Sequence, residues 1–344
     1  MPGEGPEVCG ALCVIKFLLA LCLGIGWLPL TAVHGVPRKR AAALIQTRGT
    51  PLRAGGIRGG SQVALERAEG GDTPVLSFRS PRGAVVRLLL DTGAAASLVT
   101  PALVERLGLA RRSLAPEAFS MAGGGTACPT LRLSSTEMPP LVLGGEPSWP
   151  GLRLEGLEAL VLPAAALPPG VDGVLGAPTL RQLPLVVDPL KALVALGSPV
   201  AHWRQTMNSP PRVVALTWRR GVPLMPLRVR PASGGPTVTL NALADTGAEG
   251  VFLTAALAER LTPLHPSQPA RLVGVCGLQE VRRQRLFGLA VGPERLPNES
   301  VDAVILTNPV FALLNVEAIV GQELLRSRRQ LWRLDANPPR LELW

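Results

Sequence analysis

The sequence of 344 residues has no tyrosine, only six phenylalanines and six tryptophans, and only three lysines and three histidines. With so few aromatic residues, leucine, valine and alanine must fill the core. His202 and His265 are isolated along the chain, which leaves a zinc site or a Ser-His-Asp triad without the residues it needs. No glycine-rich loop runs into Lys-Ser or Lys-Thr, so nucleotide chemistry has no support. The sequence therefore predicts neither a bound metal nor a cofactor.

Glycine and proline are abundant, with 37 and 35 residues respectively. Hydrophobic residues make up 47% of the chain and charged residues 17%, which is enough for a large core and excludes a disordered chain. The frequent glycines and prolines leave few long helical stretches, a pattern that indicates a turn-rich β protein. The length favours about two domains.

The formal net charge of +10 does not indicate a nucleic-acid-binding protein. Half of the excess lies in the first 61 residues, and the rest is spread along the chain without a stripe of interleaved basic and aromatic residues. The arginine clusters at 282–285 and 326–329 are interpreted as solvated faces. We therefore expect no nucleic-acid partner.

A stretch without formal charge covers residues 17–37 and has a strongly apolar centre. It resembles a secretory signal peptide within residues 1–35, although it is also long enough for a retained membrane anchor. Pro29 and His34 weaken the anchor, and Arg38-Lys39-Arg40 weakens export, since positive charge normally stays inside. An organelle transit peptide or a core segment is the remaining alternative. We expect an exported (secreted or periplasmic) or membrane-anchored protein, with any membrane association made through residues 17–37.

The chain contains an internal repeat of domain size. The segment DTGAAASLVTPALVERL, which begins at Asp91, matches DTGAEGVFLTAALAERL, which begins at Asp245, at ten of 17 positions. Downstream, residues 157–176 resemble residues 301–321, and both segments end in two apolar residues and a glycine. The two aspartates are 154 residues apart, so each repeat is a lobe rather than a solenoid unit.

The sequences of the two lobes predict the same order of short elements. A strand leads into the Asp-Thr-Gly turn, a second strand follows, and Thr100 or Thr254 then caps a short helix. A glycine-rich hairpin, an apolar strand and the apolar-apolar-Gly element come next. The sequence therefore predicts an all-β protein with two homologous lobes.

The two repeated motifs carry a family resemblance. Asp91-Thr92-Gly93-Ala94 and Asp245-Thr246-Gly247-Ala248 resemble the active-site signature of aspartic proteases, specifically the retroviral (retropepsin-like) branch, in which alanine follows the glycine. Val174-Leu175-Gly176 and Ile319-Val320-Gly321 resemble the family's apolar-apolar-Gly element. The resemblance covers residues 74–198 and 212–344. It implies two retropepsin-like (acid protease) β-barrel lobes in a pseudo-twofold arrangement.

The resemblance also implies an aspartic endopeptidase whose catalytic residues are Asp91 and Asp245, one from each lobe. Two carboxylates about 3 Å apart cannot both ionise, so the pair shares a proton. The ionised member activates a water for attack on the peptide carbonyl, and the protonated member hydrogen-bonds the developing oxyanion. Because carboxylates do this work, we expect an acidic-to-neutral pH optimum.

The other site residues follow from the same resemblance. Thr92 and Thr246 are expected to exchange hydrogen bonds beneath the carboxylates, and Gly93 and Gly247 to allow a close backbone approach. The glycine-rich hairpins near 121–128 and 273–280 fall where the family has its substrate-covering flaps. The supporting loops are completed by Ala94 and Ala248, and the expected flap or substrate contacts are Gly123, Gly124, Gly125, Gly274, Gly277 and Glu249.

The sequence departs from the family pattern in three ways, and the first two make the two lobes unequal. The position four after each catalytic aspartate is Glu249 in the second lobe but Ala95 in the first. Ala177 and Gln322 stand where the family usually has arginine. The absence of tyrosine removes the pepsin-type flap tyrosine, so substrate preference does not carry over.

The expected organisation is a signal peptide or anchor at 1–35, a linker or pro-segment at 36–73, lobes at 74–198 and 212–344, and a linker at 199–211. That short linker favours a monomer with a pseudo-dimeric site over like lobes of two chains pairing. The expected partner is a peptide or protein substrate. The alternative is a catalytically inactive protein that binds peptides or regulates a protease. Intact Asp-Thr-Gly motifs in both lobes favour the enzyme.

Overall fold

The computed structural model describes the chain in segments, and residues 38–344 form one compact unit. Among the described residues, no helix is long and apolar enough to cross a membrane. The predicted leader at 1–35 and the predicted flap glycines Gly123, Gly124 and Gly125 lie outside the described residues. The described residues are 39–40, 43–46, 51–115, 119–122, 133–144, 151–162, 167–231, 235–261, 266–274, 277–292 and 300–344.

The elements divide between the two halves of the chain. The first half contains the strands β1 (Lys39–Arg40), β2 (Ala43–Gln46), β3 (Ala54–Ala64), β4 (Glu66–Arg67), β5 (Pro74–Arg79), β6 (Val85–Asp91), β7 (Leu98–Val99), β8 (Arg112–Ser113), β9 (Phe119–Ala122), β10 (Ser134–Glu137), β11 (Leu141–Leu143), β12 (Gly151–Val161), β13 (Gly173–Gly176), β14 (Leu185–Asp188) and β15 (Leu193–Gly197). Its helices are α1 (Pro101–Leu107), α2 (Ala177–Leu180) and α3 (Pro199–Gln205).

The second half has the same kind of composition. Its strands are β16 (Arg212–Ala215), β17 (Thr217–Arg219), β18 (Val222–Val229), β19 (Val238–Ala244), β20 (Val251–Leu253), β21 (Gln268–Gly274), β22 (Gly277–Phe287), β23 (Leu289–Val291), β24 (Ser300–Ile305), β25 (Ala318–Val320), β26 (Gln330–Arg333) and β27 (Arg340–Leu343). Its helices are α4 (Ala255–Arg260), α5 (Pro309–Leu314) and α6 (Gln322–Leu325).

A closed six-stranded β-barrel forms the first lobe, in the order β11-β5-β6-β13-β7-β12 and back to β11. Alternation along β6 places Val86, Leu88 and Leu90 in the main core, while Leu89 packs in a separate cluster on the other face. From Leu88 to Asp91 the strand is buried on both faces. Strands make up 49% of the protein and helices 14%, so the predicted all-β fold is confirmed.

The second half repeats this order of pairing. Strand β19 runs parallel to β25, and β20 pairs antiparallel with β25 and parallel with β24. In the first half, β6 runs parallel to β13, and β7 pairs antiparallel with β13 and parallel with β12. The sequence repeat is therefore also a repeat of strand topology.

One continuous sheet joins the two halves, in the order β3-β15-β14-β26-β27-β16. Its central pair is antiparallel, with Val186 of β14 opposite Leu331 of β26. On either side, the order β14-β15-β3 corresponds to β26-β27-β16, so the sheet is symmetric about its centre. The buried side chain of Trp203 packs against it in a cluster with Val186, Ala195 and Leu331. The two lobes thus share a hydrogen-bonded sheet within one chain.

The predicted helix caps are confirmed. The hydroxyl of Thr100 accepts a hydrogen bond from the backbone N–H of Leu103, and the hydroxyl of Thr254 accepts one from Leu257. Helix α1 ends at Gly108, whose φ of 65° is in the left-handed region that glycine tolerates. These caps orient the helix that follows each Asp-Thr-Gly loop.

The linker interpretations need correction. Strand β3 pairs with β12 and β15, and β4 pairs with β5, so residues 54–67 belong to the sheet of the first lobe. The proposed linker at 199–211 begins with helix α3, which packs on β15 through Val200 and Trp203. The apparent lack of periodicity in β3 reflects its glycines, which let its backbone approach β12 and β15 closely.

Candidate active site

Each Asp-Thr-Gly loop begins where a buried strand ends. Strand β6 ends at Asp91, and β19 ends at Ala244, one residue before Asp245. Both loops are held from the side by the apolar-apolar-Gly elements. The backbone N–H of Ala177 donates to the carbonyl of Ala94 at 2.8 Å, and that of Gln322 donates to Ala248 at 2.8 Å.

The two loops are joined by their threonines. The backbone N–H of Thr92 donates to Oγ1 of Thr246 at 3.1 Å, and the N–H of Thr246 donates to Oγ1 of Thr92 at 3.0 Å. Each hydroxyl in turn donates to a carbonyl of the other lobe, Thr92 to Ala244 at 2.6 Å and Thr246 to Leu90 at 2.7 Å. The four hydrogen bonds are fully buried, and each links residues more than 150 positions apart.

The glycines of the two loops show where the carboxyl groups lie. A Cβ added at Gly93 would overlap the carboxyl group of Asp245, and one added at Gly247 would overlap that of Asp91. Each carboxyl group therefore lies against the glycine of the opposite loop. Neither glycine has a positive φ, so the need for glycine here is one of space rather than backbone conformation.

Both carboxyl groups are shielded from solvent, with Asp91 1% exposed and Asp245 0% exposed. The Oδ1 atom of Asp245 accepts hydrogen bonds from the N–H groups of Gly247 (2.9 Å) and Ala248 (3.1 Å). Within the described protein, Oδ1 of Asp91 and Oδ2 of Asp245 are buried and have no hydrogen-bond partner. One oxygen of each carboxyl group can therefore take part in a hydrogen bond with the other carboxyl group or with a bound molecule.

Burial changes the acidity of this pair. Desolvation raises the pKa of Asp245 from 3.8 to about 7, although its hydrogen bonds from Asp91 and the loop N–H groups oppose the rise. Desolvation, followed by the negative charge of Asp245, raises the pKa of Asp91 well above its ordinary value. The pair therefore keeps one proton to a higher pH than an ordinary aspartate does, and this titration belongs to the two carboxyl groups together.

The predicted flap and substrate contacts are placed as follows. Gly274 ends β21 and is opposite Gly277, which begins β22, so the two form the base of a hairpin turn. Glu249 lies outside this hairpin, and its carboxylate accepts hydrogen bonds from the backbone of Asp72 and Thr73 in the first lobe. The structure therefore brings together the loops of Asp91 and Asp245 but directs Glu249 toward the lobe interface.

Several contacts near the site were not identified from the sequence. The carboxamide of Gln322, which occupies a position usually filled by arginine, donates to the carbonyl of Thr246 at 2.9 Å. Ser97 accepts a hydrogen bond from the N–H of Gly176 at 3.0 Å. A buried amide or hydroxyl next to an active-site motif is the only signal that would have pointed to them. The contact of Glu249 with residues 72–73 had no sequence signal.

Comparisons with known proteins agree with this geometry in part. Residues 80–179, which include the Asp91 loop and β13, match the model of the aspartyl protease family. No protein of curated function matches the chain in sequence. Conglutin gamma, a basic 7S globulin from lupine seeds, is 12% identical over 83% of this chain and 94% of its own, with a TM-score of 0.50. Basic 7S globulin from soybean is also 12% identical over the same shares, with a TM-score of 0.45.

The similarity to conglutin gamma shows that the chain has an acid protease fold. At 12% identity it shows the fold alone. The family match over residues 80–179 supports a general interpretation of the chain as an aspartic protease.

Proposed function

We propose that the chain is an aspartic endopeptidase with one catalytic dyad, formed by Asp91 and Asp245 from its two lobes. The observation that carries the proposal is the mutual packing of each carboxyl group against the glycine of the opposite loop. The reciprocal threonine hydrogen bonds support it, because they bind the two loops at a fixed separation. The shared sheet supports a site formed within one molecule rather than between two chains.

The hydrogen bonds of the loops assign the roles in this proposal. Asp245 carries the charge, because its Oδ1 accepts hydrogen bonds from the N–H groups of Gly247 and Ala248, and Asp91 carries the shared proton. The Asp245 carboxylate accepts a proton from a bound water while the water oxygen bonds to the peptide carbonyl carbon. Asp91 gives its proton to the carbonyl oxygen. In the second step, the proton on Asp245 passes to the amide nitrogen as the C–N bond breaks, and one of the two hydroxyl groups of the intermediate returns a proton to Asp91.

The N-terminal segment fits the role of a pro-segment. Strand β1 pairs with β21 in parallel, with Arg40 opposite Val273, and β2 pairs with β9 in antiparallel, with Ala43 opposite Ala122. Strands β9 and β21 hold corresponding places in the two lobes, each following the capped helix. We therefore propose that strands β1 and β2 cover the edges of β21 and β9 that a peptide substrate would use.

A cleavage assay tests the proposal. The full chain, Asp91→Asn and Asp245→Asn are incubated with a diverse peptide mixture between about pH 3 and pH 8, and the molecular mass of each is measured by light scattering. We expect the parent to cleave peptides as a monomer and each variant to lose at least about 100-fold in rate. Loss in only one variant of a dimeric chain indicates a site formed between two copies. No cleavage, also after removal of residues 1–50, favours the peptide-binding alternative.

A further inference from the structure

A turn of the first lobe wraps the carboxylate of Glu249 in the second lobe. The backbone N–H groups of Asp72 and Thr73 donate to this carboxylate at 2.8 and 3.1 Å, and the hydroxyl of Thr73 donates to it as well. A Cβ added at Gly71 would overlap the same carboxylate. The turn therefore closes on Glu249 from several directions, and it requires glycine at 71 for lack of space.

A second contact joins the same two regions, and in this one the acidic residue belongs to the first lobe. The carboxylate of Asp72 in the first lobe pairs with Arg326 of the second lobe at 2.7 Å, and Arg67 lies on its other side at 3.4 Å. Arg326 directly follows α6, whose first residue, Gln322, donates to the carbonyl of Thr246. Both contacts therefore connect the turn at 71–73 to the elements that hold the Asp245 loop.

Each end of this contact is connected to one loop of the dyad, the Glu249 end directly along the chain and the turn through the pairing of β5 with β6. Glu249 lies four residues after Asp245. Thr73 precedes β5, in which Val75 is paired with Leu89, two residues before Asp91. A shift of the turn relative to Glu249 would therefore move β5 and β6 relative to the Asp245 loop.

The contact occurs on one side of the site only. At the corresponding position of the first lobe, Ala95 lies against the turn at Gly221, where an added Cβ would stand 3.5 Å from the Ala95 Cβ. That separation is an ordinary van der Waals contact, and alanine has no group with which to accept hydrogen bonds. The polar link between the lobes at this level is thus supplied by Glu249.

We propose that Glu249 is a positioning residue: by binding the turn at 71–73, it holds the Asp91 and Asp245 loops in register. The role differs from the substrate contact expected from the sequence, because the hydrogen bonds of its carboxylate go to the first lobe. The inference rests on the proposed function for its kinetic consequence. Its structural consequence, a change in how tightly the dyad is enclosed, does not depend on catalysis.

The kinetic test compares Glu249→Ala and Glu249→Gln with the parent. Glutamine keeps one acceptor oxygen for the two N–H groups, so it rescues part of the effect if the first variant folds poorly. We expect kcat to fall at least about 10-fold in Glu249→Ala and less in Glu249→Gln, with KM within about twofold. Glu259→Gln, an exposed acid on α4, is the matched control and should leave both constants unchanged.

The pH profile separates positioning from a loss of stability. A loosened turn admits water to the dyad, which weakens the desolvation of Asp245, so the midpoint of the acid limb should move to lower pH in Glu249→Ala. A raised KM with an unchanged kcat would instead make Glu249 a substrate contact and overturn the proposal. Unchanged kcat and an unchanged midpoint would overturn it equally.

A stability cycle tests the inference even if the chain cleaves nothing. The pH dependence of urea unfolding is measured for the parent, Asp245→Asn, Glu249→Gln and the double variant. If Glu249 keeps the dyad enclosed, the pH-dependent difference made by Asp245→Asn shrinks when Glu249 is replaced. A difference of the same size in both backgrounds overturns the inference, whatever the outcome of the cleavage assay.

Discussion

The replacement Asp245→Asn should stabilise the protein at neutral pH while removing its proposed activity. The asparagine side chain would keep an oxygen for the N–H groups of Gly247 and Ala248, which now donate to Oδ1 of the aspartate. It would remove a carboxylate that is buried completely and faces a second carboxyl group. The fold therefore loses a desolvated charge and keeps its hydrogen bonds.

The magnitude follows from proton linkage. The pKa of Asp245 is about 7 in the folded protein and near 3.8 when unperturbed, a difference of about three pH units. Well below pH 3.8 the side chain is protonated in both states, and its effect on stability is at its most favourable. As the pH rises to about 7, the folded protein retains a proton that the unfolded chain releases, so stability falls. At about 1.36 kcal/mol per unit, the total loss is about 4 kcal/mol, and the asparagine variant escapes it.

Urea unfolding at a series of pH values between about 4 and 8 measures this effect, with intact mass checked before each titration. Subtracting the parent from Asp245→Asn cancels the groups that do not contact the dyad. The difference should grow with pH through about pH 7 and continue to grow until Asp91 ionises in the parent, because the variant lacks the charge that raises the pKa of Asp91. Asp335→Asn, which removes a surface carboxylate paired with Arg333, is the control for the loss of a carboxylate outside the dyad. A flat or falling difference for Asp245→Asn would refute the buried-dyad reasoning.

Four further outcomes are expected. The rate of peptide cleavage should rise with a midpoint near pH 7 as the dyad ionises, so a pH–rate profile should place the optimum at neutral to mildly alkaline pH, above the acidic-to-neutral range expected from the sequence; a rate still rising well above neutral pH contradicts the shared proton. Thr92→Val should lower the free energy of unfolding by about 2–4 kcal/mol in urea titrations, because it strands the Ala244 carbonyl and the Thr246 N–H, whereas Thr92→Ser keeps both bonds and should cost much less. Gly247→Ala should abolish cleavage in the same assay, since its methyl group would displace the Asp91 carboxyl group; a fully active variant would contradict the described packing. Removal of residues 1–50, which leaves β3 intact, should raise the cleavage rate over that of the full chain, and an equal or lower rate would argue against the pro-segment.

Local patterns in the sequence were enough to predict the fold class and several of its elements. The apolar runs before Asp91 and Asp245 indicated buried strands, and Thr100 and Thr254 indicated the helix starts, because both effects act over a few residues. The all-β fold followed from the spacing of turns. The segment at 54–67 was misassigned as a linker because its glycines interrupt the alternation by which strands are recognised.

The contacts of Glu249 and Gln322 show what the repeat could not reveal. The repeat treats both lobes alike, but the turn before β5 is longer than the turn before β18, where β17 ends at Arg219 and β18 begins at Val222. The longer turn reaches the carboxylate of Glu249, and Gly221 of the shorter turn lies against Ala95. The difference between the connecting turns, together with the difference between Glu249 and Ala95, therefore makes the two sides of the site unequal.

The sequence alone determined the chemistry that is available: two Asp-Thr-Gly-Ala loops in matching lobes, with threonine and glycine beside each aspartate. Those residue types are local properties of the chain and need no tertiary information. Only the tertiary structure decided that each carboxyl group packs on the opposite glycine and that burial raises the pKa of both aspartates. Contact between residues 154 positions apart depends on how the two lobes pack, and desolvation depends on everything that packing places around a charge.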